Sequence, residues 1–238
     1  MTGQKVGERT VIGNILKVSD PETGAKFTSA DILVNANVFI NAASDTTAAT
    51  LTFVLYYILA NPQHWTRLVH EVRSHFSSEE EINGHSTTPL SFLNAVIHET
   101  LRLRPPAPSN LQRVVPEEGI IIDGHYISPG TVVSTPTYGI MHDPRNFSNP
   151  DDFMPTRWIP NEKGEETCNH AAWIPFSYGP RSCIGKPLAL IELRLVIARF
   201  VYRFDAELVE NKEPYYQDAF VARRGALPIK IRRRESRE

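Results

Sequence analysis

Apolar residues recur at helical spacing from Ile32 to Leu59, interrupted by Asn35, Asn37, Asn41, Asp45 and several threonines. Thr28-Ser29-Ala30-Asp31 supplies an N-cap signal and Asn61-Pro62 a stop. The spacing therefore predicts a helix of about thirty residues, well beyond the usual length, running through the middle of the molecule. An amphipathic helix is predicted over Pro62 to Phe76, with Trp65, Leu68, Val69 and Val72 inward. Residues 77–88 read as a polar loop. Leu90 to Leu103 reads as a third helix, stopped by the turn Arg104-Pro105-Pro106-Ala107-Pro108.

Strand patterns follow. Gly119 to Ile122 and His125 to Ile127 flank Asp123-Gly124, a hairpin signal. Ser128-Pro129-Gly130 predicts a turn before a strand over Thr131 to Ser134. From His142 to Ala172 the chain is rich in Pro, Asp and Asn without periodicity, and irregular stretches of that length are usually functional or packed around a ligand. Leu188 to Phe200 predicts the last helix, and strands are expected over Phe204 to Val209 and Leu227 to Arg232. Residues 1–27 are polar, with at most a short helix between Val6 and Asp20. The whole pattern is mainly α with small β-sheets, an α+β class.

Hydrophobic content of 41% and charged content of 22% are those of an ordinary globular protein. The formal net charge of −2 argues against general nucleic-acid binding. Arg232-Arg233-Arg234, mixed with Glu235 and Glu238, reads as a solvated tail. Residues 1–30 show no secretory signal. The polar interruptions between Ile32 and Leu59 argue against a lipid-spanning helix, so no membrane anchor is expected in this chain and an intracellular location is. Cys168 and Cys183 form neither a disulfide framework nor a zinc pattern and fit a reducing compartment.

Cys183 lies in Phe176-Ser-Tyr-Gly-Pro-Arg-Ser-Cys-Ile-Gly185, a loop shaped by Gly179, Pro180 and Gly185. Lys186-Pro187 and the apolar run behind it predict a helix with proline in its first turn. A sulfur at that helix start faces N–H groups and the positive end of the dipole, which favour thiolate. The glycines allow close approach to something large and flat, and Arg181 could pair with a carboxylate on it. Together these suggest haem held by an axial cysteine. A lone cysteine is otherwise a small buried hydrophobe.

The pattern F-x-x-G-x-R-x-C-x-G, filled at every fixed position, resembles the haem-thiolate loop of the cytochrome P-450 family. The resemblance implies haem b (iron protoporphyrin IX) with Cys183 as axial ligand and metal-binding residue. It puts Arg181 and Arg113 at the haem propionates, Phe176 beside the cysteine, and Gly179 and Gly185 in the cradle. Ala42-Ala43-Ser44-Asp45-Thr46-Thr47 resembles the distal helix, where the helix widens and an acid–alcohol pair serves dioxygen binding and proton relay. On that match Asp45 is the acid and Thr46 the alcohol. Ala43 stands where the family usually has glycine, which puts efficiency in doubt, and Asn41 is also unusual. Read without the resemblance, this segment is a polar helix face, and Arg113 a solvent-facing arginine.

Glu99 and Arg102, spaced i and i+3, share one helix face. By itself the pair reads as a surface salt bridge. Within His98-Glu-Thr-Leu-Arg-Leu-Arg-Pro-Pro106 it resembles the family's E-x-x-R helix, and Arg157 in Phe153-Met-Pro-Thr-Arg-Trp158 supplies the third member. These three are structural by implication, a buried network that locks the irregular segment.

The matched motifs follow the family order over residues 28–238, expected to be an incomplete haem-binding domain preceded by the polar segment 1–27. Family members are twice as long, and the chain resembles their C-terminal half, most closely in fungal members of secondary metabolism. The implied activity is monooxygenation: dioxygen, electrons from an NADPH-dependent reductase, and a small lipophilic substrate. Full-length relatives are commonly anchored to the endoplasmic reticulum. Two alternatives stand beside the enzyme: a non-catalytic haem-binding remnant or truncated product, and a helical interaction module without haem.

Overall fold

The computed structural model describes residues 10–160 and 168–234. Glu235 and Glu238, the start of the Val6–Asp20 segment and part of the irregular stretch lie outside the described residues. Helices predominate, joined by two-stranded antiparallel sheets, so the class is mainly α with small β-sheets. The chain forms two compact units, Met1–Asp45 and Thr46–Glu238.

In the first unit, α1 (Val11–Ile15) is capped by Thr10, whose Oγ1 accepts the Gly13 N–H at 3.0 Å. The long helix α2 (Ser29–Ala60) begins here with a reciprocal cap. The Asp31 N–H reaches Thr28 Oγ1 at 3.2 Å, while the Thr28 N–H reaches Asp31 Oδ2 at 2.9 Å. Leu33, Val34, Val38 and Ile40 are exposed, and burial in α2 is confined to Ala49–Ile58. Helical spacing foretells an apolar face; it does not say what covers it. By length and composition α2 could cross a membrane, a test that core helices of soluble proteins also pass.

The core of the second unit is helical. Val54 and Ile58 of α2, Leu68 and Val72 of α3 (Pro62–His75), Val96 and Ile97 of α4 (Ser91–Leu103), and Leu193, Ile197 and Val201 of α6 (Lys186–Arg203) form one buried cluster. Alpha-4 takes its cap from its neighbour: Glu71 of α3 accepts the N–H of Phe92 at 2.7 Å and of Leu93 at 2.8 Å. Gly84 lets the loop before α4 close on α6, because a Cβ there would lie 2.8 Å from Ile191 Cγ2.

The sheets are small. Strands β1 (Leu111–Val114) and β4 (Val132–Thr135) pair with Arg113 opposite Val133. Strands β2 (Ile120–Ile122) and β3 (His125–Ile127) form the hairpin at Asp123-Gly124, both at positive φ as a tight primed turn requires. The short helix α5 (Thr137–Met141) follows β4. Strand β5 (Phe204–Leu208) continues directly from α6 and pairs with β8 (Ile229–Arg233), while β6 (Tyr216–Gln217) pairs with β7 (Arg223–Arg224). Strand β1 and α5 were not anticipated, being too short to show a period. Alpha-6 also begins before and ends beyond its apolar run, started by Pro187 in its first turn and ended where the strand begins.

One polar network is fully buried beneath this fold. Glu99 Oε1 accepts Arg102 Nη2 at 2.9 Å, Arg157 Nε at 3.0 Å and the Met154 N–H at 3.0 Å. Its Oε2 accepts Arg102 Nε at 3.0 Å and Trp158 Nε1 at 2.8 Å. Arg102 continues to the carbonyls of Met141, Pro150 and Asp152, and Arg157 to that of Asn149. The irregular chain is thus fastened to α4 through its own carbonyls.

Two outcomes are expected. Glu99→Gln removes the anion that pairs with two buried guanidiniums and turns an amide N–H₂ toward donors. It should lower unfolding free energy by about 3–5 kcal/mol, read as a fall in the urea midpoint. His98 packs between Trp173 and Trp158. Burial, followed by the positive charges of Lys186, Arg194 and His170, lowers its pKa from 6.5 to about 4. The unfolded chain then binds the proton first as pH falls from 6.5 toward 4, so stability present at neutral pH is lost across that window. Roughly 2–3 kcal/mol is at stake. His98→Phe should flatten this part of the stability–pH profile.

Candidate functional site

The ends of the cysteine loop are fixed by backbone bonds. The Cys183 N–H donates to the Phe176 carbonyl at 2.8 Å, and the Ser177 N–H to Ile174 at 2.9 Å. Ser177 and Gly179 take positive φ, reversing the chain; Gly179–Arg181 is a single tight turn closed by the Ser182 N–H on the Gly179 carbonyl at 3.0 Å. The Lys186 N–H returns to the Cys183 carbonyl at 3.3 Å, and α6 starts immediately behind. A Cβ at Gly185 would sit 3.7 Å from Cys183 Sγ, so this glycine leaves one side of the sulfur clear.

Cys183 is a free, exposed thiol at the start of an 18-residue helix. Exposed apolar side chains flank it in the chain, Tyr178 at 88% and Ile184 at 84% exposure with Leu188 on the first turn of α6, alongside the exposed Arg181, Ser182 and Lys186. Arg181 is exposed and makes no ion pair among the described residues. A soft sulfur donor, exposed apolar side chains and a guanidinium without an ion pair among the described residues fit an apolar, metal-bearing, carboxylate-substituted ligand, and haem has that chemistry. Behind the loop, Phe176 packs edge-on to Trp173 with centroids 6.0 Å apart, and Lys186 Nζ lies 5.6 Å and 5.8 Å from the two ring centroids.

The other sequence-derived residues belong to other elements of the chain. Asp45 is exposed and Thr46 half-buried, adjacent on α2. The helix is regular there, without a widened turn; Ser44 Oγ bonds the Ile40 carbonyl at 2.7 Å and Thr50 Oγ1 the Thr46 carbonyl at 2.9 Å. Alanine at position 43 favours that regularity over glycine. Arg113 is exposed on β1, its Nη1 donating to the Gln112 carbonyl at 2.8 Å. Glu99, Arg102 and Arg157 meet in the buried network, with no side-chain accessibility left for a ligand.

Residues that motif reading did not single out join these. Trp158 binds the Glu99 carboxylate, and Trp173 Nε1 donates to the His98 carbonyl at 3.0 Å. A cleft of about 880 Å³ is lined by Arg104, Ser109, Asn110, Glu213, Tyr216 and Asp218 among others. Its walls are joined by Tyr216 Oη on the Pro105 carbonyl at 2.8 Å, the Ala222 N–H on the Pro106 carbonyl at 2.8 Å, and Ser109 Oγ on Asp218. Burial pushes the phenols of Tyr57 and Tyr216 well above their ordinary range, keeping both as hydrogen-bond donors. The proline turn was visible in the sequence, but its pairing with a segment a hundred positions later was not.

Known proteins share this sequence and fold. The family model described as Cytochrome P450 matches residues 5–230. The chain is 39% identical over 215 residues to the cytochrome P450 monooxygenase traB of Penicillium crustosum, covering 90% of this chain and 42% of that protein. It is 38% identical to cpaH of Aspergillus oryzae over 218 residues, covering 92% of this chain and 42% of that protein. The chain thus spans less than half the length of these fungal relatives. In fold it is similar to the heme domain of cytochrome P450DA, with a TM-score of 0.82 at 24% identity, over 94% of this chain and 48% of that one. A sequence match running through nearly all of its length makes this chain a member of the cytochrome P450 family.

Proposed function

We propose that this chain is the haem-binding part of a fungal monooxygenase that oxidises a small lipophilic secondary metabolite. Residues 28–238 form the haem-binding region in this reading, and 1–27 a polar leading segment. The observation that carries it is the free thiol of Cys183, presented by a glycine-shaped loop at a helix start and surrounded by exposed apolar side chains.

When bound, haem supplies reductive dioxygen activation, placing one oxygen atom in a C–H bond and releasing the other as water. The chain's own residues do the rest. Cys183 ligates through sulfur. Arg181 and Arg113 hold the two propionates, Phe176 backs the cysteine, and Gly179 and Gly185 keep the approach clear. Asp45 and Thr46 bind and move protons on the dioxygen side. Glu99, Arg102 and Arg157 fasten the segment that carries the site. Electrons come from an NADPH-dependent reductase, with Lys186 and Arg194 contributing to its docking. No nucleic acid takes part, and the location is intracellular.

A second reading is a non-catalytic haem-binding remnant or truncated product. It is favoured by the exposed apolar side chains Leu33, Val34, Val38 and Ile40, and by the 42% share of the relatives' length. One experiment separates the two. The carbon-monoxide difference spectrum of the reduced, haem-loaded chain should show the red-shifted Soret band of thiolate ligation and lose it in Cys183→Ala. An unshifted band in both proteins would reject Cys183 as ligand. A shifted band without product on adding reductase and NADPH would favour the remnant.

A further inference from the structure

Behind the cysteine loop the aromatic rings form a continuous row. Phe176, whose carbonyl accepts the Cys183 N–H, packs against Trp173. Trp173 meets Trp158 at 5.9 Å, and Trp158 meets His170 at 5.3 Å and Phe147 at 6.0 Å between centroids. His98 fills the angle between the two indoles, 4.6 Å from Trp173 and 5.6 Å from Trp158. Cys168, half-buried, belongs to the same cluster, and His170 is exposed. The row therefore runs from the loop outward to a thiol and an exposed imidazole.

Edge-to-face packing alone would account for rings at these distances. Two features go further. The row holds two of the chain's three tryptophans, readily oxidised side chains, in direct contact. Their polar partners also differ. Trp173 Nε1 donates to the neutral His98 carbonyl, and Lys186 Nζ lies 5.6 Å from its ring centroid. Trp158 Nε1 donates to the Glu99 carboxylate at 2.8 Å. A cation beside an indole makes removal of an electron harder; a carboxylate accepting its N–H makes it easier. Arg102 and Arg157 share that carboxylate and narrow the difference, but Trp173 has no anion among its described partners. An electron vacancy created near the loop would thus move from Trp173 to Trp158, away from the cysteine.

We propose that Trp173 and Trp158 form a one-electron relay, by which an oxidising equivalent at the cysteine loop leaves toward Cys168 and His170 without damaging the loop. The natural oxidant, a high-potential haem species, rests on the function proposed above; the relay is a property of this chain's rings. One electron passes from Trp173 to the oxidant. Trp158 returns an electron to Trp173, its indole N–H staying on the Glu99 carboxylate. A soluble thiol or ascorbate-class reductant then gives one electron to the Trp158 radical. The net change is one electron from the reductant to the oxidant.

The test generates the oxidant without haem. A ruthenium–polypyridyl photo-oxidant is attached to the exposed Cys183 of the full chain; burial pushes the Cys168 thiol up, so labelling at neutral pH favours Cys183. Flash oxidation should produce a tryptophan-radical transient that Trp173→Phe largely abolishes. Trp158→Phe should leave a longer-lived Trp173 radical and move oxidative modification onto the loop, read by peptide mass mapping. Trp65→Phe, outside the row, should change nothing, and Trp173→Tyr, which keeps an oxidisable ring, should restore transfer. Equal transients in the parent and both relay variants, with matched circular dichroism, would overturn the relay. Loss of transfer in Trp173→Phe without rescue by tyrosine would do the same. A failed carbon-monoxide spectrum beside an intact transient removes the haem reading and leaves the relay standing.

Discussion

The Glu99 carboxylate is the point on which the second unit depends. Five donors from four residues converge on two oxygens, all from buried or half-buried groups. Such a cluster costs desolvation and returns it only when every geometry is right, so it contributes more to specificity than to net stability. What it specifies here is the path of a segment with almost no regular structure. The carbonyls of Asn149, Pro150 and Asp152 have no ladder to join; guanidiniums take that role. Trp158, held by the same carboxylate, then sets the aromatic packing on which Trp173 and Phe176 rest.

The cysteine loop is controlled from two directions. Its far end is the first turn of α6, whose inner face is part of the helical core. Its near end rests on the ring row through Phe176. Between these anchors the loop needs little packing of its own, and its side chains can face outward. An exposed sulfur in an exposed apolar setting is unfavourable for an isolated protein and is the usual mark of a ligand or partner surface.

Much of this was legible in the sequence, for identifiable reasons. The helices α2, α3 and α4 declare themselves because their apolar residues repeat over three or more turns, and proline or a cap marks their ends. The cysteine loop is contiguous, so its glycines, Arg181 and Cys183 can be read together. Short elements were not legible: Leu111–Val114 becomes a strand only by pairing with Val132–Thr135, and Thr137–Met141 is too short to show a face. Nor could spacing reveal that the first half of α2 stays exposed. The contact between Trp158 and Trp173 crosses an irregular segment where no periodicity relates one residue to another.

The loop between α3 and α4 bears on the order in which the chain acquires structure. Ser77 accepts from Tyr202 Oη at 2.9 Å, Glu79 pairs with Arg203 at 2.7 Å, and the Ile82 carbonyl takes Arg199 at 3.1 Å. Each joins α6 to a position more than a hundred residues earlier. During synthesis the loop has therefore left the ribosome long before its partner exists, and α6 is the late arrival that docks onto a waiting helical pair. The cysteine loop takes its final shape only with that docking. A ribosome stalled before α6 emerges would therefore hold a chain with α3 and α4 formed and the cysteine loop not yet in its final place.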